Sequence, residues 1–144
     1  MKISYKSLKI AHTVVNMFRR IRENMDKLYG VYNADGGIIG ELSYVVGKIR
    51  GKVHCALCDI THKGISKKKE WKVLEREIDI PFELVHLNEQ KKELEEYTAG
   101  KSPCVVGEKN GDLVMILTTG ELEECQKSVK KFETVLFGSL QNWN

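Results

Sequence analysis

Ser102-Pro103-Cys104-Val105-Val106, followed by Asn110-Gly111 and then Leu113-Val-Met-Ile-Leu117, is the stretch on which the fold turns. Two short runs of strand-forming residues flank Asn-Gly, the dipeptide that best supplies the two positive φ angles of a type I′ turn. The spacing predicts a β-hairpin led in by a proline.

Working outward, Thr98 to Pro103 reads as a loop, Glu89 to Tyr97 as a short charged helix and Phe82-Glu-Leu-Val-His-Leu87 as a strand. After the hairpin, Leu122, Cys125, Val129, Phe132 and Leu136 recur at helical spacing and predict one C-terminal helix. Upstream, Ser66 is placed to cap a lysine-rich helix with Trp71, Leu74 and Ile78 inward, ended by Asp79 and Pro81. Lys27 to Asn33 is rich in strand formers and closes on the turn residues Asn33-Ala-Asp35-Gly36-Gly37. Ile38, Ile39, Leu42, Val45, Val46 and Ile49 then mark a helix buried along one face, stopped by Gly51.

Ahead of all this lies an amphipathic helix over residues 1–26. Ile10, Val14, Met17, Phe18, Ile21 and Met25 form its stripe, with Lys9, Arg19, Arg20 and Arg22 away from it. The net charge is +3, but residues 1–27 carry seven Lys/Arg against Glu23 and Asp26. The basicity belongs to this arm, and the rest of the chain is slightly acidic. A near-neutral body lacks the broad basic face of a dedicated nucleic-acid binder, so nucleic acid is not an expected partner. The arm fits an anionic membrane surface or a protein partner, or else packs on the domain with its basic face in water.

At 144 residues the chain has the size of one domain with a core that needs no disulfide staples. Leu113-Val-Met-Ile-Leu117, its longest aliphatic run, falls far short of the ~20 apolar residues of a membrane span, and no signal-peptide core follows Met1. The expected location is cytoplasmic. Cysteines in that compartment are reduced, metal-bound or redox-active more often than structurally bridged.

Two of the four cysteines lie in His54-Cys55-Ala-Leu-Cys58-Asp59-Ile-Thr-His62. Cys-x-x-Cys can grip one metal or close a short disulfide loop. In a helix, Cys55, Cys58 and His62 share a face; in a knuckle, His54 substitutes for His62. The fourth ligand falls to Cys104, Asp59, His86 or water. Thiolate and imidazole donors favour zinc while admitting copper or iron. For redox chemistry Cys55 is the attacking thiol and Cys58 the resolving one, which needs an exposed Cys55; no helix is evident at Cys58 to activate it. Cys125 reads as core, and His12 and His86 have no motif around them. Asn33 to Gly37 lacks the P-loop and GxGxxG patterns and reads as a tight turn, with Asp35 beside the cysteine segment.

The element order resembles that of the thioredoxin and glutaredoxin superfamily over residues 27–137. Ser102-Pro103 ahead of Cys104-Val-Val106 looks like that family's cis-proline before its hairpin strand. The resemblance implies a thioredoxin-like α/β fold, a mixed sheet flanked by helices, with an inserted Cys/His segment at 51–65, the extra N-terminal helix and a tail at 138–144. In the family the Cys-x-x-Cys pair ends the first strand and opens the first helix. Here Asn33 to Gly37 takes that place and the pair follows some twenty residues later. Of the family's site residues only Pro103 is carried over. The leading expectation is therefore a metal-binding module, zinc by its donors, on Cys55, Cys58 and His62 with His54 or Cys104 next. The alternatives are a thiol–disulfide oxidoreductase on Cys55 and Cys58, and a non-catalytic interaction module using the basic helix.

Overall fold

The computed structural model describes residues 5–36 and 54–143; the helix expected between Ile38 and Ile49 lies outside them. Within the described residues the protein is an α/β structure built on a four-stranded mixed sheet. Its elements are α1 (Tyr5–Asn24), β1 (Lys27–Val31), α2 (Ala56–Thr61), a two-residue-per-strand hairpin β2 (His62–Lys63) and β3 (Ser66–Lys67), and α3 (Lys69–Glu77). They continue with β4 (Phe82–Val85), a 3-10 turn (Leu87–Glu89), α4 (Lys92–Thr98), β5 (Cys104–Lys109), β6 (Asp112–Leu117), α5 (Thr119–Glu124) and α6 (Val129–Gln141). The sheet order is β4-β1-β5-β6. β1 runs parallel to β4 and antiparallel to β5, and β6 is antiparallel to β5.

The hairpin closes where Asn-Gly stands, Asn110 at φ 52° and Gly111 at φ 84°, with Lys109 opposite Asp112. The Ser102–Pro103 bond is cis. Strand pleating sends successive side chains to opposite faces. Leu28, Tyr32 and Val105 enter the larger core with Leu57, Ile60, Trp71, Phe132 and Leu136 from α2, α3 and α6. Tyr29, Val31, Cys104 and Val106 face the other way, onto Leu94 of α4. Gly30 makes the first packing close: a Cβ there would stand 2.7 Å from Leu84 Cδ2 and 3.2 Å from Leu57 Cδ2. A side chain on Gly30 would therefore hold α2 off the sheet.

Several expectations change. Ser66 lies in β3 rather than capping a helix, because Gly64, at φ 67°, folds residues 62–67 into a small hairpin and α3 begins only at Lys69. The C-terminal helix is two helices. Gln126 and Lys127 adopt positive φ, which no helix continues through, and the Ser128 hydroxyl restarts the chain by accepting from Lys131 N. The segment expected as a tail from residue 138 begins inside α6, which runs to Gln141, and Leu140 is buried in the larger core.

The inner end of α1 belongs to the same core. Ile21 and Met25 are buried, Phe18 meets Phe137 edge-on at 5.4 Å, and Arg22 pairs with Asp79 at 2.7 Å. Lys9, His12, Val15, Arg19 and Arg20 are exposed. No helix among the described residues is long and apolar enough to cross a membrane.

Candidate functional site

Cys55 and Cys58 stand within disulfide-bonding distance, their Cα atoms 5.2 Å apart. Of the two geometries open to the segment, helix and knuckle, a helix begins here, and Cys55 is its N-cap: its backbone is extended (φ −137°, ψ 99°) and its sulfur accepts from Cys58 N at 3.2 Å. Sulfur thus stands where a hydroxyl or carboxylate oxygen is usual, which is why no capping residue announces α2. The same sulfur accepts a second N–H, that of Asn33, at 3.4 Å. The Asn33 side chain donates to His54 O at 3.2 Å, so the two ends of the chain that flank residues 37–53 are tied together at the C-terminal end of β1.

That end of the sheet also carries Pro103, which precedes Cys104, the partner of Val31 in the ladder. Thr119, opening α5, donates to Pro103 O at 2.7 Å, and Glu123 one turn on receives His54 Nε2 at 2.6 Å. Across the sheet, Ala34 O accepts from Leu87 N, and Gly36 N donates to Asn88 Oδ1 at 2.6 Å. An open groove of about 530 Å³ runs beside Asn33, between Leu87, Gln90, Thr98 and Ser102, a volume within the range of small-ligand clefts.

The sequence-expected residues divide sharply. Cys55 is buried, at 6% exposure, rather than exposed, while Cys58 is only partly buried. Cys104 lies on the opposite face of the sheet from Cys55, because strand alternation turns Val105 rather than Cys104 towards the larger core. Burial pushes the Cys104 thiol up to about 11, leaving it a neutral core group. Cys125 is likewise buried, its thiol raised and donating to Glu121 O. Asp35 is exposed; its neighbour Asn33 makes the contact expected of it.

His54 is held by Glu123 and His62 by Thr61, so neither ring nitrogen so engaged is presented to the sulfurs. Among the described residues no three His, Cys, Asp or Glu side chains gather into a set that could hold a metal ion. His86 caps the 3-10 turn, its Nδ1 2.8 Å from Glu89 Oε2.

No protein-family model, curated protein or solved structure matches the chain.

One further cluster had no signal in the sequence. Thr61, fully buried, donates its hydroxyl to Leu57 O at 3.0 Å and receives the Tyr32 hydroxyl at 2.9 Å and His62 Nδ1 at 2.7 Å. Burial raises the Tyr32 phenol well above its usual range, so it stays a neutral donor. Burial, aided by Lys67 and His86, lowers the His62 imidazole. The cluster pins the C-terminal end of α2 to β1 as Asn33 pins its start.

Proposed function

We propose that this chain is a thioredoxin-like domain whose Cys55–Cys58 pair carries out thiol–disulfide exchange. One observation carries the reading: the two cysteines stand within bonding distance at the start of α2, with the Cys55 sulfur fastened by the Asn33 N–H to the end of β1. In the superfamily that the element order resembles, that strand end is where the redox pair belongs. Some twenty residues separate the pair from it in sequence, and one hydrogen bond closes the gap in space. The sheet order β4-β1-β5-β6, with its parallel pair and antiparallel hairpin, and Pro103 ahead of β5 support the fold assignment.

Zinc on the same segment is the competing reading. A structural zinc site takes four donors. Here the two sulfurs face each other, and among the described residues no further His, Cys, Asp or Glu side chain joins them in a set that could hold a metal ion. Geometry favours the sulfur–sulfur bond.

Equilibrating the purified protein against a series of glutathione buffers, with thiols counted and bound metal measured at each poise, tests the proposal. The expected result is a two-electron transition that converts two thiols to one disulfide, absent in Cys58→Ser, with Cys104 and Cys125 reduced throughout. Stoichiometric zinc protecting both thiols, or the lack of any reversible disulfide, would overturn it.

A further inference from the structure

We infer that Cys58, not Cys55, is the sulfur that exchanges with substrate, and that Cys55 is the buried leaving group. The inference rests on the redox reading above and reverses the order that the spacing of the motif suggests. Thiolate attack on a disulfide depends on which sulfur the nucleophile can reach and on how well the other sulfur carries the negative charge it acquires. Both conditions select the same direction here. Cys55 is 6% exposed and enclosed in the larger core, whereas Cys58 is partly open to solvent and only packs against that core. The two N–H donors, from Asn33 at 3.4 Å and Cys58 at 3.2 Å, both point at the Cys55 sulfur. A thiolate released there is received by donors already in place, and hydrogen bonds to a charged acceptor are the stronger kind.

The exchange balances as follows. A substrate thiolate attacks the Cys58 sulfur; the new bond joins substrate sulfur to Cys58, the Cys55–Cys58 bond breaks, and its electron pair stays on Cys55 as thiolate. The second thiolate of the same substrate then attacks its own sulfur in the mixed disulfide and expels Cys58 as thiolate. The substrate dithiol has become a disulfide, the protein disulfide a dithiol, and two electrons have moved to the protein. The substrate class is therefore a dithiol whose two thiols can close on each other.

The test uses the full chain. A glutathione redox titration of the wild type first establishes whether the pair is reversible at all; its failure sinks the redox reading itself. Reduced Cys55→Ser and Cys58→Ser are then treated with an aromatic disulfide that releases a coloured thiolate. Because attack follows access, Cys55→Ser, which keeps Cys58, is expected to react at least about tenfold faster than Cys58→Ser. Since either variant could be perturbed in its core, the oxidised wild type is also mixed with limiting glutathione, acid-quenched and peptide-mapped. Glutathione on Cys58 agrees with the assignment. Glutathione on Cys55, or faster reaction of Cys58→Ser, overturns it while leaving the redox reading intact.

Discussion

The main-chain N–H of Asn33 meets the sulfur of Cys55 at 3.4 Å, joining the end of β1 to the cap of α2 across residues 37–53. What Asn33 offers that sulfur is backbone, so its side chain and its N–H separate cleanly by substitution. Asn33→Ala keeps the donor and loses only the contact to His54 O. Asn33→Pro removes the donor, and Tyr32 before it, being hydrogen-bonded to Val85 O at the strand end, is in extended surroundings that tolerate a following proline. A hydrogen bond to a charged group is worth about 1.5–3 kcal/mol, so Asn33→Pro should slow reduction of the disulfide by roughly tenfold or more. Asn33→Ala should leave it nearly unchanged. Stopped-flow reduction by dithiothreitol, with circular dichroism to verify the fold, measures both.

Thr61 is the hub of a buried polar cluster, and its removal should cost more than the removal of either partner. Thr61→Val leaves the buried Tyr32 hydroxyl without its 2.9 Å partner. An unsatisfied buried group of this kind costs about 1–3 kcal/mol. Tyr32→Phe takes away the donor instead and should cost about 1 kcal/mol, in the range of a single net hydrogen bond. The double variant should lose clearly less than the sum, since Tyr32→Phe leaves no buried hydroxyl for Thr61→Val to strand, and only His62 Nδ1 has lost its partner. Urea unfolding of the four proteins gives the coupling.

Acid should weaken the fold in two separate windows. The His62 imidazole is lowered, first by burial and then by Lys67 and His86. Above the ordinary imidazole value of about 6.5 it is neutral both folded and unfolded, and contributes no pH dependence. As pH falls below that value the unfolded chain takes up the proton first, so stability declines until the folded-state value is passed. Glu89 and Asp26, whose carboxyls are lowered chiefly by the backbone N–H groups of His86 and Asn110, act only at lower pH. Their stabilisation is complete above the ordinary carboxylate range of about 4 and is lost beneath it. Melting temperature should therefore fall as pH drops below about 6.5 in the wild type, and His62→Gln should flatten that limb while keeping the carboxylate limb.

Some of this was legible in the sequence, and the rest was hidden for identifiable reasons. Asn110-Gly111 announced its hairpin because a type I′ turn is a local demand on two residues. Trp71 and Leu74 announced the inner face of α3 by period alone, and both are buried. The break between α5 and α6 was masked by its own regularity: Leu122, Cys125, Val129, Phe132 and Leu136 keep helical spacing across it and are all buried, and only Ser128 marks the restart. The face of Cys104, a candidate ligand in the sequence, was not legible, because pleat parity fixes it only after the structure shows Val105 in the larger core. The return of Cys55 to β1 was not legible, because it depends on a backbone N–H, which every residue but proline carries.

The basic helix is the element on which a simple deletion would mislead. Its inner turns supply Ile21 and Met25 to the larger core, and Asp26 beyond them receives Asn110 N at 2.8 Å and Lys109 Nζ at 3.3 Å. Removing residues 1–26 therefore removes core as well as charge. Loss of a buried Met or Ile side chain costs about 2–5 kcal/mol as an alanine substitution, and two together approach the whole stability of a domain this size. The truncated protein should be largely unfolded at 25 °C, so its failure to bind vesicles would say nothing about a membrane surface. Arg19 and Arg20 are exposed, and Arg20 has no ion pair among the described residues. Arg19→Gln with Arg20→Gln should leave the unfolding free energy from urea titration within the ±0.5 kcal/mol usual for surface changes. That variant isolates the charge, and sedimentation with anionic vesicles then reads it directly: unchanged partitioning would exclude electrostatic docking through this face.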